Sequence, residues 1–175
     1  MQQKTKAIVL RTTKYGETSL ICTLFTEVYG VQSYLMKGIR SVGVKSKTNR
    51  AGLLQIGSQL DVVVEHKPNK SLQSIKEFGV AYYYSQVQEH VVANTVALYA
   101  IELLLRLLPE ASIQTELFDF TEQFLQTLDN GSESFHVIRE LHTWPLNRYS
   151  ISYHTGQSYH LRFHRGAKRI TKVAS

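Results

Sequence analysis

The sequence predicts an α+β protein in which a five-stranded barrel is followed by an incomplete all-helical domain. Short apolar runs separated by tight turns occupy the first 80 residues, and from Tyr82 onward apolar residues recur at spacings of three and four. The charge changes sign at the same place. Residues 1–80 carry twelve Lys or Arg against five acids, residues 81–140 two against nine, and residues 141–175 six against none. The formal net charge of +6 on 175 residues thus conceals a basic first part, an acidic middle and a basic tail. Three regions are expected: 1–80, 81–142 and 143–175.

Thr5 to Thr13 has a β-branched centre and runs into Tyr15-Gly16, which reads as a strand and its turn. Glu17 to Thr26 is a second strand, and Glu27 to Gly30 a second turn. Val31 to Lys37 is a third strand, with Val31, Ser33, Leu35 and Lys37 on one face and Gln32, Tyr34 and Met36 on the other. The turns are too short for a helical crossover, so these strands form a meander. Gln59 to Glu65 and Leu72 to Phe78 supply two more strands, with His66 to Ser71 between them as hairpin punctuation. Five short antiparallel strands with a long third connection fit a small, partly open barrel, for which the OB-fold is the template.

Helical periodicity follows. Val87, Val91, Val92, Thr95, Val96, Tyr99, Leu103 and Leu107 form one stripe, which Ile101, Leu104, Leu105 and Leu108 widen before Pro109 ends it. Thr115 to Leu128 repeats the pattern and stops at Asp129-Asn130-Gly131. A third helical element begins at Phe135 and does not continue beyond Leu141. From Thr143 the chain has no acidic residue and no sustained 3.6-residue period, which predicts a poorly ordered basic tail that the barrel does not need. Its Tyr and His residues leave open a short hairpin over the exposed helical face.

The stretch between the third and fourth strands carries the strongest functional signal. Lys37, Arg40, Lys45, Lys47 and Arg50 fall within fourteen residues free of acids, with Gly38 and Gly43 keeping the backbone permissive. In an OB barrel the loops after the first, third and fourth strands rim one face, where cations meet phosphates and aromatic rings stack on bases. Tyr34 is the first candidate for stacking and Tyr29 the second, and each reads equally as a core or turn aromatic. The competing reading is a solvated basic loop on a noncatalytic protein-interaction or structural adaptor.

Enzyme chemistry finds no foothold. The sequence has no phosphate-binding glycine loop, no paired metal-ligand motif on a helix and no nucleophile elbow, and the acids of the first 80 residues are scattered. Cys22, the single cysteine, reads as a buried apolar residue. His154, His160 and His164 have a spacing that could place two imidazoles on one helix face, but no cysteine or carboxylate lies beside them to complete a site, so neither metal nor cofactor is expected. No hydrophobic signal segment or membrane-spanning run is present, and a cytoplasmic location is expected.

Ala7 to Ser41 resembles the opening of the bacterial RecO DNA repair family. The shared features are Glu17-Thr18-Ser19, Thr26-Glu27 with Gly30, and Lys37-Gly38-Ile39-Arg40. Leu53-Leu54-Gln55, the two later strands and the apolar helix near Ala93 follow in the family order. The resemblance covers about residues 1–140 and implies an OB-fold followed by a helical domain. It also implies a nucleoid-associated recombination mediator that binds single- and double-stranded DNA and anneals complementary strands. With RecR, such a mediator helps RecA replace single-stranded DNA-binding protein. Lys37, Gly38 and Arg40 correspond to the family's DNA-binding segment; Lys45, Lys47 and Arg50 extend it by local charge alone. The family continues into a further helical region, often with a cysteine-bearing zinc module, whereas this sequence departs near Leu141. A truncated or frameshifted gene explains that departure better than a compact subfamily does.

Overall fold

The computed structural model describes residues 2–39, 50–87, 89–131, 149–154 and 158–163. Five strands close a barrel: β1 (Gln2–Tyr15), β2 (Ser19–Thr26), β3 (Gly30–Met36), β4 (Gln59–Glu65) and β5 (Leu72–Tyr82), in the order β1-β2-β3-β5-β4. The expected partly open, all-antiparallel barrel is corrected in two respects. β1 pairs with β4, and β3 pairs with β5 in parallel through Ser33 with Leu72 and Leu35 with Ser74, so no edge is left open. A short 3-10 helix, Arg50–Leu54, follows the basic connection and inserts Leu54 into the barrel core.

The run Ala7-Ile8-Val9-Leu10 is continuously apolar because β1 is covered on both sides. Ala7 and Val9 join Leu20, Cys22, Leu24, Tyr34, Met36 and Val62 inside the barrel. Ile8 and Leu10 point the other way, into a second core built with the helices. A bulge between Val9 and Arg11 interrupts the ladder to β2. Beside it, Gly57 donates to the Val9 carbonyl at 2.8 Å and Val9 donates to the Ser58 carbonyl at 3.0 Å.

Helix α1 (Val91–Leu107) buries Ala93, Val96, Ala97, Ala100 and Ile101. This corrects both the expected start and the expected stripe. Residues up to Tyr82 belong to β5, and Val91 and Val92 are 80% and 61% exposed. The buried face uses alanines, whose small side chains let the helix lie close to β1, and a search for large apolar residues passes over them. Helix α2 (Thr115–Asp129) buries Leu117, Phe118, Phe124, Leu125 and Leu128 as expected. The Phe118 ring meets Phe25 of β2 edge-on at 5.4 Å.

The connection between the helices docks on the barrel. Ala111 donates to the Val31 carbonyl at 2.8 Å, and a Cβ on Gly30 would overlap the Ser112 backbone. Gly30 also has a φ of 65°, so two independent constraints select glycine there. Thr26 organises the same turn, donating to the Gly30 carbonyl at 2.9 Å and accepting from the Tyr29 amide at 3.1 Å. In the tail, β6 (Tyr149–His154) pairs antiparallel with β7 (Ser158–Phe163). His154 and His160 therefore lie on strands, so the segment is not the helix that the spacing of His160 and His164 allowed; His164 itself and the third helical element expected from Phe135 lie outside the described residues.

Asp129 ties the end of α2 to the segment that leaves the barrel. Its buried carboxylate accepts from the amides of Ser85, Gln86 and Val87 at 2.8 to 3.0 Å, and from the hydroxyls of Ser85 and Tyr82. Burial alone would raise its pKa, but the hydrogen bonds from Val87, Ser85, Gln86 and Tyr82 outweigh that and hold it at about 2. The folded value lies below the ordinary 3.8, so the resulting stability is complete above about pH 4 and is lost as pH falls through about 2. Asp129→Asn, which puts an amide donor among donors, is expected to cost about 2 kcal/mol at neutral pH, with the deficit shrinking below pH 4. Urea unfolding of both proteins between pH 7 and pH 2 checks this; a deficit independent of pH contradicts it.

Candidate nucleic-acid interface

Strand alternation and helix placement divide the outer barrel surface in two. The helices cover the part carrying Ile8, Leu10, Phe25 and Val31. Further along the same strands, Thr13, Ile21, Leu35 and Ser74 form a row across β1, β2, β3 and β5, and none of them is buried. Arg11, Thr23, Ser33 and Leu72 form the adjacent row. This surface carries partly buried Ile21 and Leu35 among hydroxyl groups and a cation, so it offers apolar contact and hydrogen bonds together.

At the β5 side of that surface is a groove of about 540 Å³, lined in part by Leu35, Lys37, Lys67, Lys70 and Ser74. Lys37 enters from the turn after β3. The next residue, Gly38, has a φ of 67°, and a Cβ there would meet no neighbour, so backbone conformation alone selects glycine. Lys67 and Lys70 enter from the β4–β5 connection. Glu65, also in the lining, accepts from Lys76 at 3.0 Å and pairs with Lys67 at 3.4 Å. The Lys76 hydrogen bond and the nearby Lys67 charge hold its carboxyl below the usual glutamate value. Three lysines against one ionised carboxylate leave the groove with a positive balance.

The structure brings only part of the expected site together. Lys37 lines the groove, and Gly38 follows it in the turn after β3. Arg50 is not in its lining and lies over the Phe78 ring at 4.5 Å, a cation–π contact at the start of the 3-10 helix. Arg40, Lys45 and Lys47 lie outside the described residues.

Tyr34 is corrected. Its side chain is fully buried inside the barrel, its hydroxyl donates to Gln32 at 3.3 Å, and burial pushes its pKa up to about 12. A ring with no exposed face cannot stack on a base. Tyr29 stacks instead on His66 at 4.4 Å and donates to Gln3 at 2.8 Å. His66 to Ser71 reads in the sequence as turn punctuation, which passes over Lys67 and Lys70. Two lysines in a six-residue turn, facing the rim expected from the OB template, were the available signal. Among the described residues no group of three or more His, Cys, Asp or Glu could hold a metal ion, and no helix is long and apolar enough to cross a membrane.

These features define an OB-fold protein with a helical platform on the back of its barrel and a basic groove at its open surface. The chain belongs to the RecO family: the model for the recombination protein O N terminal matches residues 1–84, and that for its C terminal matches residues 88–144. A DNA repair protein RecO from Salinibacter ruber is 34% identical over 126 residues, covering 72% of this chain and 47% of that protein. One from Flavobacterium psychrophilum is 32% identical over 145 residues, covering 82% and 60%. One from Bacteroides fragilis is 29% identical over 160 residues, covering 91% and 65%. The chain thus spans about half to two thirds of the length of these curated relatives.

The position of Tyr34 separates packing from binding. Tyr34→Ala is expected to destabilise the fold by about 3–5 kcal/mol. Tyr34→Phe, which keeps the ring in the core, is expected to leave affinity for a single-stranded oligonucleotide within about twofold of the parent, because a buried ring makes no contact with a ligand. Denaturant unfolding and fluorescence-anisotropy titration of folded protein check the two outcomes.

Proposed function

We propose that this chain is the DNA-binding part of a noncatalytic recombination mediator. The observation that carries this reading is the groove where Lys37 meets Lys67 and Lys70 beside the open surface of an OB barrel, in a chain of the RecO family. The lysines take phosphates, while the open rows across β1, β2 and β3 supply hydrogen bonds and apolar contact to the strand. In the sequence, Arg40, Lys45, Lys47 and Arg50 add further cations to the connection after β3. In this reading the chain binds single- and double-stranded DNA and anneals complementary strands in the cytoplasm, at the nucleoid. Together with RecR it helps load RecA onto DNA coated by single-stranded DNA-binding protein.

Phosphate contacts release condensed counterions, so affinity should fall steeply with salt and depend little on base sequence. Replacing Lys37, Arg40, Lys45, Lys47 and Arg50 together by Gln is expected to weaken binding to single-stranded DNA and to flatten the salt dependence. Titration of a labelled oligonucleotide at several salt concentrations measures both; unchanged affinity and slope in a folded variant would remove this site, as the adaptor reading requires.

A mediator that neutralises and holds strands breaks no covalent bond. Annealing of complementary oligonucleotides by the purified chain is therefore expected to proceed without a nucleotide or an added metal. DNA cleavage or ATP hydrolysis abolished by a point substitution in this chain would replace this reading with an enzymatic one.

A further inference from the structure

The lysines of the β4–β5 connection project from a turn, and turn residues ordinarily sample many conformations. Here the turn is held from below by one side chain. Gln73 is buried, next to Tyr34 in the parallel register between β3 and β5. Its Oε1 accepts from the Lys67 amide at 2.8 Å. Its Nε2 donates to the Lys67 carbonyl at 2.9 Å and also to the Lys70 carbonyl. Lys70 returns a backbone hydrogen bond to the Lys67 carbonyl at 3.0 Å.

A glutamine amide has two donor hydrogens and one acceptor oxygen, and here each is engaged with the backbone of the residues that carry the groove's cations. Both backbone polar groups of Lys67 and both of Lys70 are consequently fixed, while their side chains extend outward and are exposed. An amide buried this deeply and this fully satisfied holds the turn in one conformation. The Lys67 side chain is steadied further by Glu65 at 3.4 Å.

We propose that Gln73 is the positioning residue of this site: by holding the backbone of Lys67 and Lys70 opposite Lys37, it prepares the groove to receive the sugar-phosphate backbone of a nucleic-acid strand. The proposal rests on the nucleic-acid reading of the groove and adds to it the origin of its preorganisation. A turn ordered before binding has no ordering cost at the moment of contact, so the benefit appears in affinity. The number of phosphates neutralised is set by the lysines themselves, so it does not appear in the salt slope.

The test compares three variants with the parent chain, using a fluorescent oligothymidylate across a salt series and thermal unfolding of each protein. Gln73→Met keeps the length and apolar contact of the side chain and removes its hydrogen bonds. It is expected to bind about five- to tenfold more weakly with an unchanged slope of log K against log salt. Pro68→Gly loosens the exposed tip without touching the core and is expected to behave in the same way. Lys67→Gln with Lys70→Gln is expected to weaken binding and to reduce the slope by about 1.4, the value for two phosphates on a single strand. If folded Gln73→Met binds as the parent does, the proposal is overturned, because Gln73 then serves the fold alone. If Gln73→Met does not fold, Pro68→Gly decides, and parental affinity in that variant overturns the proposal. If the double lysine variant keeps both affinity and slope, it is the nucleic-acid reading of the groove that fails.

Discussion

Everything in this molecule hangs on one strand being buried on both faces. At Ala7 to Leu10, β1 contributes alternate side chains to the barrel interior and to the core beneath the helices. The two cores are thus separated by a single thickness of backbone. Fully burying each of Ile8, Leu10 and Phe25 is worth about 1.5–3 kcal/mol, so loss of the helical layer would expose apolar surface comparable in value to the net stability of a small domain. The helices complete the barrel's outer wall as well as packing against each other.

Polar contacts set the angle at which the layers meet. Buried Gln59, at the start of β4, donates to the Tyr84 hydroxyl at 3.0 Å and accepts from Gln126 of α2 at 2.9 Å, while Tyr84 donates to the Gly57 carbonyl at 2.9 Å. Lys6 of β1 pairs with Glu122 of α2 at 2.9 Å, and this hydrogen bond raises the lysine pKa. Apolar burial alone would allow the helices to slide on the sheet; directional bonds among β1, β4 and α2 restrict them to one register. The helical layer therefore ends at a defined place, and Ile21 and Leu35 lie beyond it, only partly buried.

Much of the fold is written in local patterns. The fourth strand is bounded as expected, and Asn130 and Gly131 end α2, Gly131 with a φ of 76°. The parallel closure of β3 on β5 could not be read, because it depends on barrel shear and leaves no local mark. A single binding surface holding both Lys37 and Tyr34 conflicts with their alternation, which puts them on opposite faces of β3. The phase of the strand carried the answer, and the outward face of β3 is the one bearing Leu35 and Ser33. Lys67 and Lys70 reach Lys37 only through the β3–β5 pairing, so their part in the groove is a tertiary fact. Helix α1 departs from its expected stripe for a related reason: its contact face is chosen by closeness to the barrel, and alanine gives little signal in a periodicity built on large side chains.

The closure pattern bears on how the chain reaches this state during synthesis. β1 must wait for β4, pairing Gln2 with Glu65, and β3 must wait for β5, pairing Leu35 with Ser74. Until the fifth strand has left the ribosome, the β1-β2-β3 meander exists with both lateral edges unpaired and its second apolar face uncovered. Such high contact order favours slow folding, in the range of milliseconds to seconds, and leaves a nascent sheet that can recruit other strands. The basic connection between β3 and β4 emerges during that interval, and its like charges oppose association between neighbouring nascent chains. The positive charge of this region thus bears on the solubility of a half-made barrel before any ligand is present.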